Sequence, residues 1–160
     1  DIKSEKITHT SKFTISGFEK AVFSTDRKSL LLACEGGIVF YYDLGAKKLS
    51  KEEALHKDRI YDIAVYENRL LTGTPERKAR YFNGAKETWY DTSFPVYKVA
   101  LNSDIGAFSK EKSIVIIDKN GKEIKEIPYT GTLLTDLEFL PNGELVGAGY
   151  DNNLYFWEAK

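Results

Sequence analysis

Methionine is absent, and cysteine and histidine are nearly so: Cys34, His9 and His56 are the only ones among 160 residues. One thiol excludes an intramolecular disulfide and a thiolate metal cluster. Two histidines far apart in sequence, with no His-x-x-x-His pair, leave no imidazole metal site. Cys34 lies in the run LLACE and reads as a buried, inert thiol. Neither charge sign is in excess, with Lys+Arg 23 against Asp+Glu 24 and a net charge of −1. No global field therefore steers the chain to nucleic acid or to an anionic membrane, and neither partner is expected. No apolar run approaches the ~20 residues a membrane helix needs, and no signal peptide opens the sequence. A chain that starts at Asp1 without methionine reads as processed or as one piece of a longer protein, so no compartment follows. The run GAGYD, Gly147 to Asp151, sits between two strands and opens no helix, so it is no phosphate loop. Acidic residues are scattered, and no spacing selects two as an acid and base pair. No catalytic residue, metal or cofactor is expected.

What is present points to strands. The composition is 42% hydrophobic with Tyr 10 and Phe 9, in short β-branched and aromatic runs broken by Gly, Asn and Asp. One of these, LVGAGYDNNLYFW from Leu145 to Trp157, reads as strand, tight loop, strand. The same pattern recurs at LLACEGGIVFYY (Leu31 to Tyr42), LLTGTPERKARYF (Leu70 to Phe82) and IGAFSKEKSIVII (Ile105 to Ile117). The closing positions Tyr42, Phe82, Ile117 and Trp157 are spaced 40, 35 and 40 residues apart. A period near forty is that of a four-stranded propeller blade. The expected fold is all-β: a β-propeller module of four blades, each of four antiparallel strands, spanning residues 1–160. Its repeats cover about 18–55, 56–94, 95–130, and 131–160 plus 1–17. LSKEEALH, Leu49 to His56, has helix-forming composition, but its place in the repeat makes it a strand.

Two stretches carry a family resemblance. HKDRIYDIAV has His56 followed by Ile60, Ile63 and Val65, and TGTLLTDLEFLPNGELVGAGYDNNLYFWE runs to a closing Trp157-Glu158. Both resemble the WD-repeat β-propeller family, and the likeness extends from about Phe18 to Glu158. The resemblance implies hydrogen bonds within a blade among a loop histidine, a strand hydroxyl, a tryptophan and a loop aspartate. No blade keeps all four: the second has His56 and Thr72 but Glu76 and Phe82, and the fourth has Asp151 and Trp157 but Thr130 and Gly147. These blades are expected to rely on apolar packing between neighbouring sheets.

The two ends complement each other. Asp1 begins DIKSEKI much as Asp43 begins DLGAKKL and Asp118 begins DKNGKEI, so Asp1 to Phe13 is read as an outer strand. The last repeat lacks one, and the N-terminus is expected to supply it, within the chain or across a dimer that makes an eight-bladed ring. A closed four-bladed monomer and completion by further blades from another chain stay open as alternatives. The resemblance implies a scaffold that binds a protein or peptide on its top face. For the second blade that face holds His56, Lys57 and Arg59 in one loop and Glu76, Arg77 and Lys78 in another. These basic groups suit an acidic or phosphorylated peptide. Phe18, Phe94, Pro95 and Tyr150 are expected on the same face as apolar anchors, with Phe18 and Phe94 alternatively filling gaps between blades. The alternatives are an enzyme or small-ligand binder using the central channel, and a self-assembling propeller fragment with no ligand of its own.

Overall fold

The computed structural model describes residues 6–13 and 17–159. Among them there is no helix. The first blade is β1 (Phe18–Phe23), β2 (Ser29–Cys34), β3 (Ile38–Asp43) and β4 (Lys48–Ala54). The second is β5 (Asp62–Tyr66), β6 (Arg69–Gly73), β7 (Lys78–Phe82) and β8 (Glu87–Asp91). The third is β9 (Val99–Leu101), β10 (Ile105–Ser109), β11 (Ser113–Asp118) and β12 (Glu123–Pro128). The fourth has three strands, β13 (Leu134–Phe139), β14 (Leu145–Gly149) and β15 (Leu154–Trp157). Within each blade the strands pair antiparallel in sequence order, as the repeat predicts.

Alternation along each strand sends side chains to both faces of its sheet, and in a propeller both faces meet a neighbour. The second strands β6, RLLTG, and β10, IGAFS, are accordingly buried throughout. The outer strands β4, KLSKEEA, and β12, EIKEIP, are charged and largely exposed, which keeps their free edges from pairing with other chains. The segment Leu49 to His56 is thus strand over Lys48–Ala54, its helical composition overridden by the cross-strand bonds to β3.

Three seams carry the core. Leu31, Val39, Ile60, Ile63 and Leu70 join the first and second blades. Leu71, Tyr81, Tyr90, Phe108 and Ile117 join the second and third. Ile114, Ile116, Leu137, Phe139 and Leu145 join the third and fourth. Gly73 shows how close the approach is, since a Cβ there would lie 2.5 Å from the Val96 carbonyl oxygen. Asp62 adds a polar tie between blades: its carboxylate accepts the N–H of Ile63 at 3.0 Å and the N–H of Val99, on β9, at 3.1 Å.

For closure within one chain, the N-terminal expectation needs correction. Residues 6–13 form no strand, and among the described residues the fourth blade has three strands. Phe13 instead packs on Phe18, Phe40 and Tyr42 of the first blade. Ser11 Oγ and Tyr42 Oη share a 2.6 Å hydrogen bond, with His9 Nε2 at 3.2 Å from the same oxygen. The aromatic face of β3 outcompetes the free edge of β15 for this segment. Residues 1–5, the rest of the expected strand, lie outside the described residues.

Candidate binding face

Antiparallel order places the loops before each first strand and those between second and third strands at one end of the sheets. The segments 55–61, 74–77, 92–98 and 150–153 therefore share an end, as does Phe18. All seven residues singled out in the sequence, His56, Lys57, Arg59, Arg77, Lys78, Phe94 and Tyr150, stand at this end.

Their roles there differ. His56 points inward and is buried, with Nε2 at 2.7 Å from Thr72 Oγ1. The ring of Trp89, on β8, meets it edge-on at 5.3 Å. Trp89 comes from the outer strand, and its indole N–H donates to Glu87 instead of to Thr72. Burial and the nearby Arg80 guanidinium depress the His56 pKa to about 4. His56 is thus part of the blade and leaves the partner-facing charge to its neighbours. Lys57 and Arg77 are exposed, and Arg77 sits at a turn position with φ of 60°. Arg59 is paired with Glu19 at 3.3 Å and Glu35 at 3.0 Å, which neutralise much of its charge. Lys78 pairs with Asp91 at 3.4 Å and lies over the Trp89 ring. Tyr150 projects into solvent, while Phe94 is half-buried against Tyr97 at 5.9 Å.

Two residues of this face escaped the sequence reading. Tyr61 and Tyr97 stack at 4.9 Å with an interplanar angle of 9°. The stack bridges the entries to β5 and β9, and Tyr61 N–H is held by the Gly73 carbonyl at 2.9 Å. Its signal was available: Tyr61 and Tyr97 each stand one residue before a charged residue, Asp62 or Lys98, at the same repeat position. A flat, two-ring aromatic surface with Phe94 beside it and Arg59 near it offers apolar area at low conformational cost.

A separate cleft lies elsewhere. A cavity of about 730 Å³ opens between the first and second blades at the opposite end, by Ser24–Asp26 and Glu67–Asn68. Leu31, Val65 and Leu70 form its apolar lining, and Tyr41, Glu53 and Arg80 are polar groups on its wall. Among the described residues, no group of three His, Cys, Asp or Glu stands close enough to hold a metal ion. Cys34 is buried, and desolvation raises its thiol pKa to about 11.

No family model and no curated protein matches this sequence. Among solved structures, the chain is similar to the RRP9 WD40 repeats, with a TM-score of 0.80 at 11% identity. That match covers 92% of this chain and 49% of the other, so the chain spans about half the length of that protein. It is also similar to the computationally designed Ika4 protein, with a TM-score of 0.75 at 13% identity, over 94% of this chain and 100% of that one. At these identities the likeness is one of fold: the sheets are propeller blades of the kind that WD repeats form.

Proposed function

We propose that the chain is a protein-interaction module and not an enzyme. Its platform is the loop end of the blades, where an acidic or phosphorylated peptide is gripped by aromatic stacking and basic loops. The observation that carries this reading is the Tyr61–Tyr97 stack at 4.9 Å with Phe94 beside it, at the end of the sheets that also bears Lys57, Arg59, Arg77 and Lys78. The aromatic rings supply area, and the exposed cations supply charge-assisted hydrogen bonds to carboxylate or phosphate. In this reading the blade array works as part of a ring completed by further blades, from a second copy or another chain. No nucleic acid or membrane enters it.

The test is an array of immobilised peptides that carry Asp, Glu or phosphoserine, each beside its neutral counterpart. The labelled wild-type protein should mark acidic peptides selectively. Arg77→Glu with Lys78→Glu should weaken that signal at least tenfold, and Tyr61→Ala with Tyr97→Ala should do the same. Selective binding that survives the charge reversal, or no selectivity in the wild type, refutes the reading.

A small-ligand role is favoured by one separate observation, the cavity of about 730 Å³, a size within the ~300–1,000 Å³ of ligand pockets. The sequence reading put such a ligand in the central channel, whereas the cavity lies between two blades. A thermal-shift screen with apolar carboxylates and amines tests it, and no shift from any compound counts against it.

A further inference from the structure

Each seam residue has counterparts in the other blades. Val39, Ala79, Ile114 and Leu154 each begin the pairing of a third strand with its second strand, opposite Ala33, Gly73, Ser109 and Ala148. The first three are 0% exposed, because the following blade covers them, while Leu154 is 66% exposed. The opposite side of the array shows the same contrast. Ile60, Val96 and Leu134, each two residues before the hub position described next, are 0–3% exposed, and Phe18 in that place is 47% exposed. Phe156 and Phe23, next along the same two faces, are exposed as well. Among the described residues no blade covers either outer face of the array, and Phe13 packs on part of the first blade's.

The hub position is occupied by Lys20, Asp62, Lys98 and Asp136, one on or beside each first strand, and its charge alternates around the axis. Lys20 Nζ lies 3.6 Å from Asp62. Asp62 reaches forward to the Val99 N–H beside Lys98. Asp136 repeats the local geometry of Asp62, taking the N–H of the next residue, Leu137, at 3.0 Å, yet no blade follows it. Lys20 leans across the open side toward it, at 3.9 Å.

We propose that a second copy of this chain closes the ring. The fourth blade of each protomer packs on the first blade of the other, with two-fold symmetry, and the hub becomes eight alternating charges. An acidic last position against a basic first position is what a repeat of this chain supplies, whereas an odd number of inserted blades brings like charges together. Phe13, five residues before Phe18, stands where Leu55 stands before Ile60 in the first seam, so the arm already occupies a seam position. Strands ~4.8 Å apart and ~3.3 Å per residue give each blade face roughly 250–300 Å² in flat projection. Two seams then cover roughly 1,100 Å² over both partners before side-chain relief is counted, close to the ~1,200–2,000 Å² of specific interfaces. Exact closure by isologous contact follows from the symmetry.

The proposal rests on the completed ring of the proposed function and not on its peptide site, so a mass measurement tests it separately. Light scattering from ~1 to ~100 µM should give twice the 18.2 kDa chain mass, dissociating only at the dilute end. Leu154→Glu with Phe156→Glu should give a protomer of unchanged circular dichroism and single mass. Should that variant misfold, Asp136→Lys places like charges at the seam on an exposed side chain and should weaken the dimer at least tenfold. Ile124→Glu, on the exposed outer strand β12, should leave the dimer intact. A single mass for the wild type at every concentration, which is what blades from a longer chain would leave, overturns the proposal. So do a mass that grows without limit and a dimer unaffected by both seam variants.

Discussion

Phe108→Ala is expected to lower the unfolding free energy by ~3–5 kcal/mol, the range for removing a buried aromatic ring from a packed core. Phe108 sits on β10 and is 1% exposed, with the Tyr90 ring at 4.9 Å and Leu71, Tyr81, Val115 and Ile117 in the same seam. Its ring comes from the third blade and its neighbours partly from the second, so the deletion opens a cavity between two sheets. Neither sheet can relax into it alone, because each is held on its other face. A domain of this size is stable by ~5–15 kcal/mol, so the loss is about a fifth or more of the total. It corresponds to a drop in melting temperature of roughly 10–15 °C. Ile124→Ala, at an exposed outer-strand position, should stay within ~0.5 kcal/mol of wild type. Urea unfolding with equal slopes measures both. Equal midpoints for the two variants would show that the seams do not carry the stability.

That the seams carry the fold is also why so much of it was readable. A blade needs four short strands with turns at fixed intervals, and the period of the closing residues Tyr42, Phe82, Ile117 and Trp157 reports this directly. Gly37, Gly121 and Gly143 all adopt positive φ, the conformation that glycine lends to tight turns. The His56 and Thr72 pair, noted as a remnant of a larger network, is a 2.7 Å hydrogen bond. What periodicity does not encode is which surface wins a loose segment. Asp1 to Phe13 matches the outer-strand pattern, but Phe13 has a better apolar partner in Phe40 and Tyr42 than a backbone edge offers. Burial of single loop residues is equally hidden. His56, Lys57 and Arg59 are neighbours in sequence, yet one is buried in the blade, one is solvated, and one is paired with Glu19 and Glu35 from the first blade. The Tyr61–Tyr97 stack joins residues 36 positions apart, and only the spatial adjacency of two blades brings them together.

The buried imidazole gives the second large effect, a loss of stability in mild acid that belongs to one residue. His56 is held neutral in the folded chain, with its pKa depressed to about 4 by burial first and by Arg80 second, and opposed by Glu87. In the unfolded chain the ring returns to an ordinary value near 6.5. Above pH 6.5 both states hold a neutral ring, and the group contributes no pH dependence. As pH falls from 6.5 toward 4 the unfolded state binds the proton first, so stability declines across that window. A shift of this size corresponds to on the order of 3 kcal/mol. The structural reason is that a proton on the ring leaves a cation among Thr72, Trp89 and the Arg80 guanidinium, with Nδ1 buried and unpartnered. His56→Gln cannot take up that proton. It should cost ~1–2 kcal/mol at pH 7, where the bond to Thr72 is imperfectly replaced, and its disadvantage should shrink or reverse by pH 4.5. Carboxylates held low, such as Asp118 and Glu53, titrate in both proteins and cancel in the difference. Urea unfolding of the pair at half-unit intervals from pH 7.5 to 4.5 supplies that difference, and a flat one would place the acid sensitivity outside this ring.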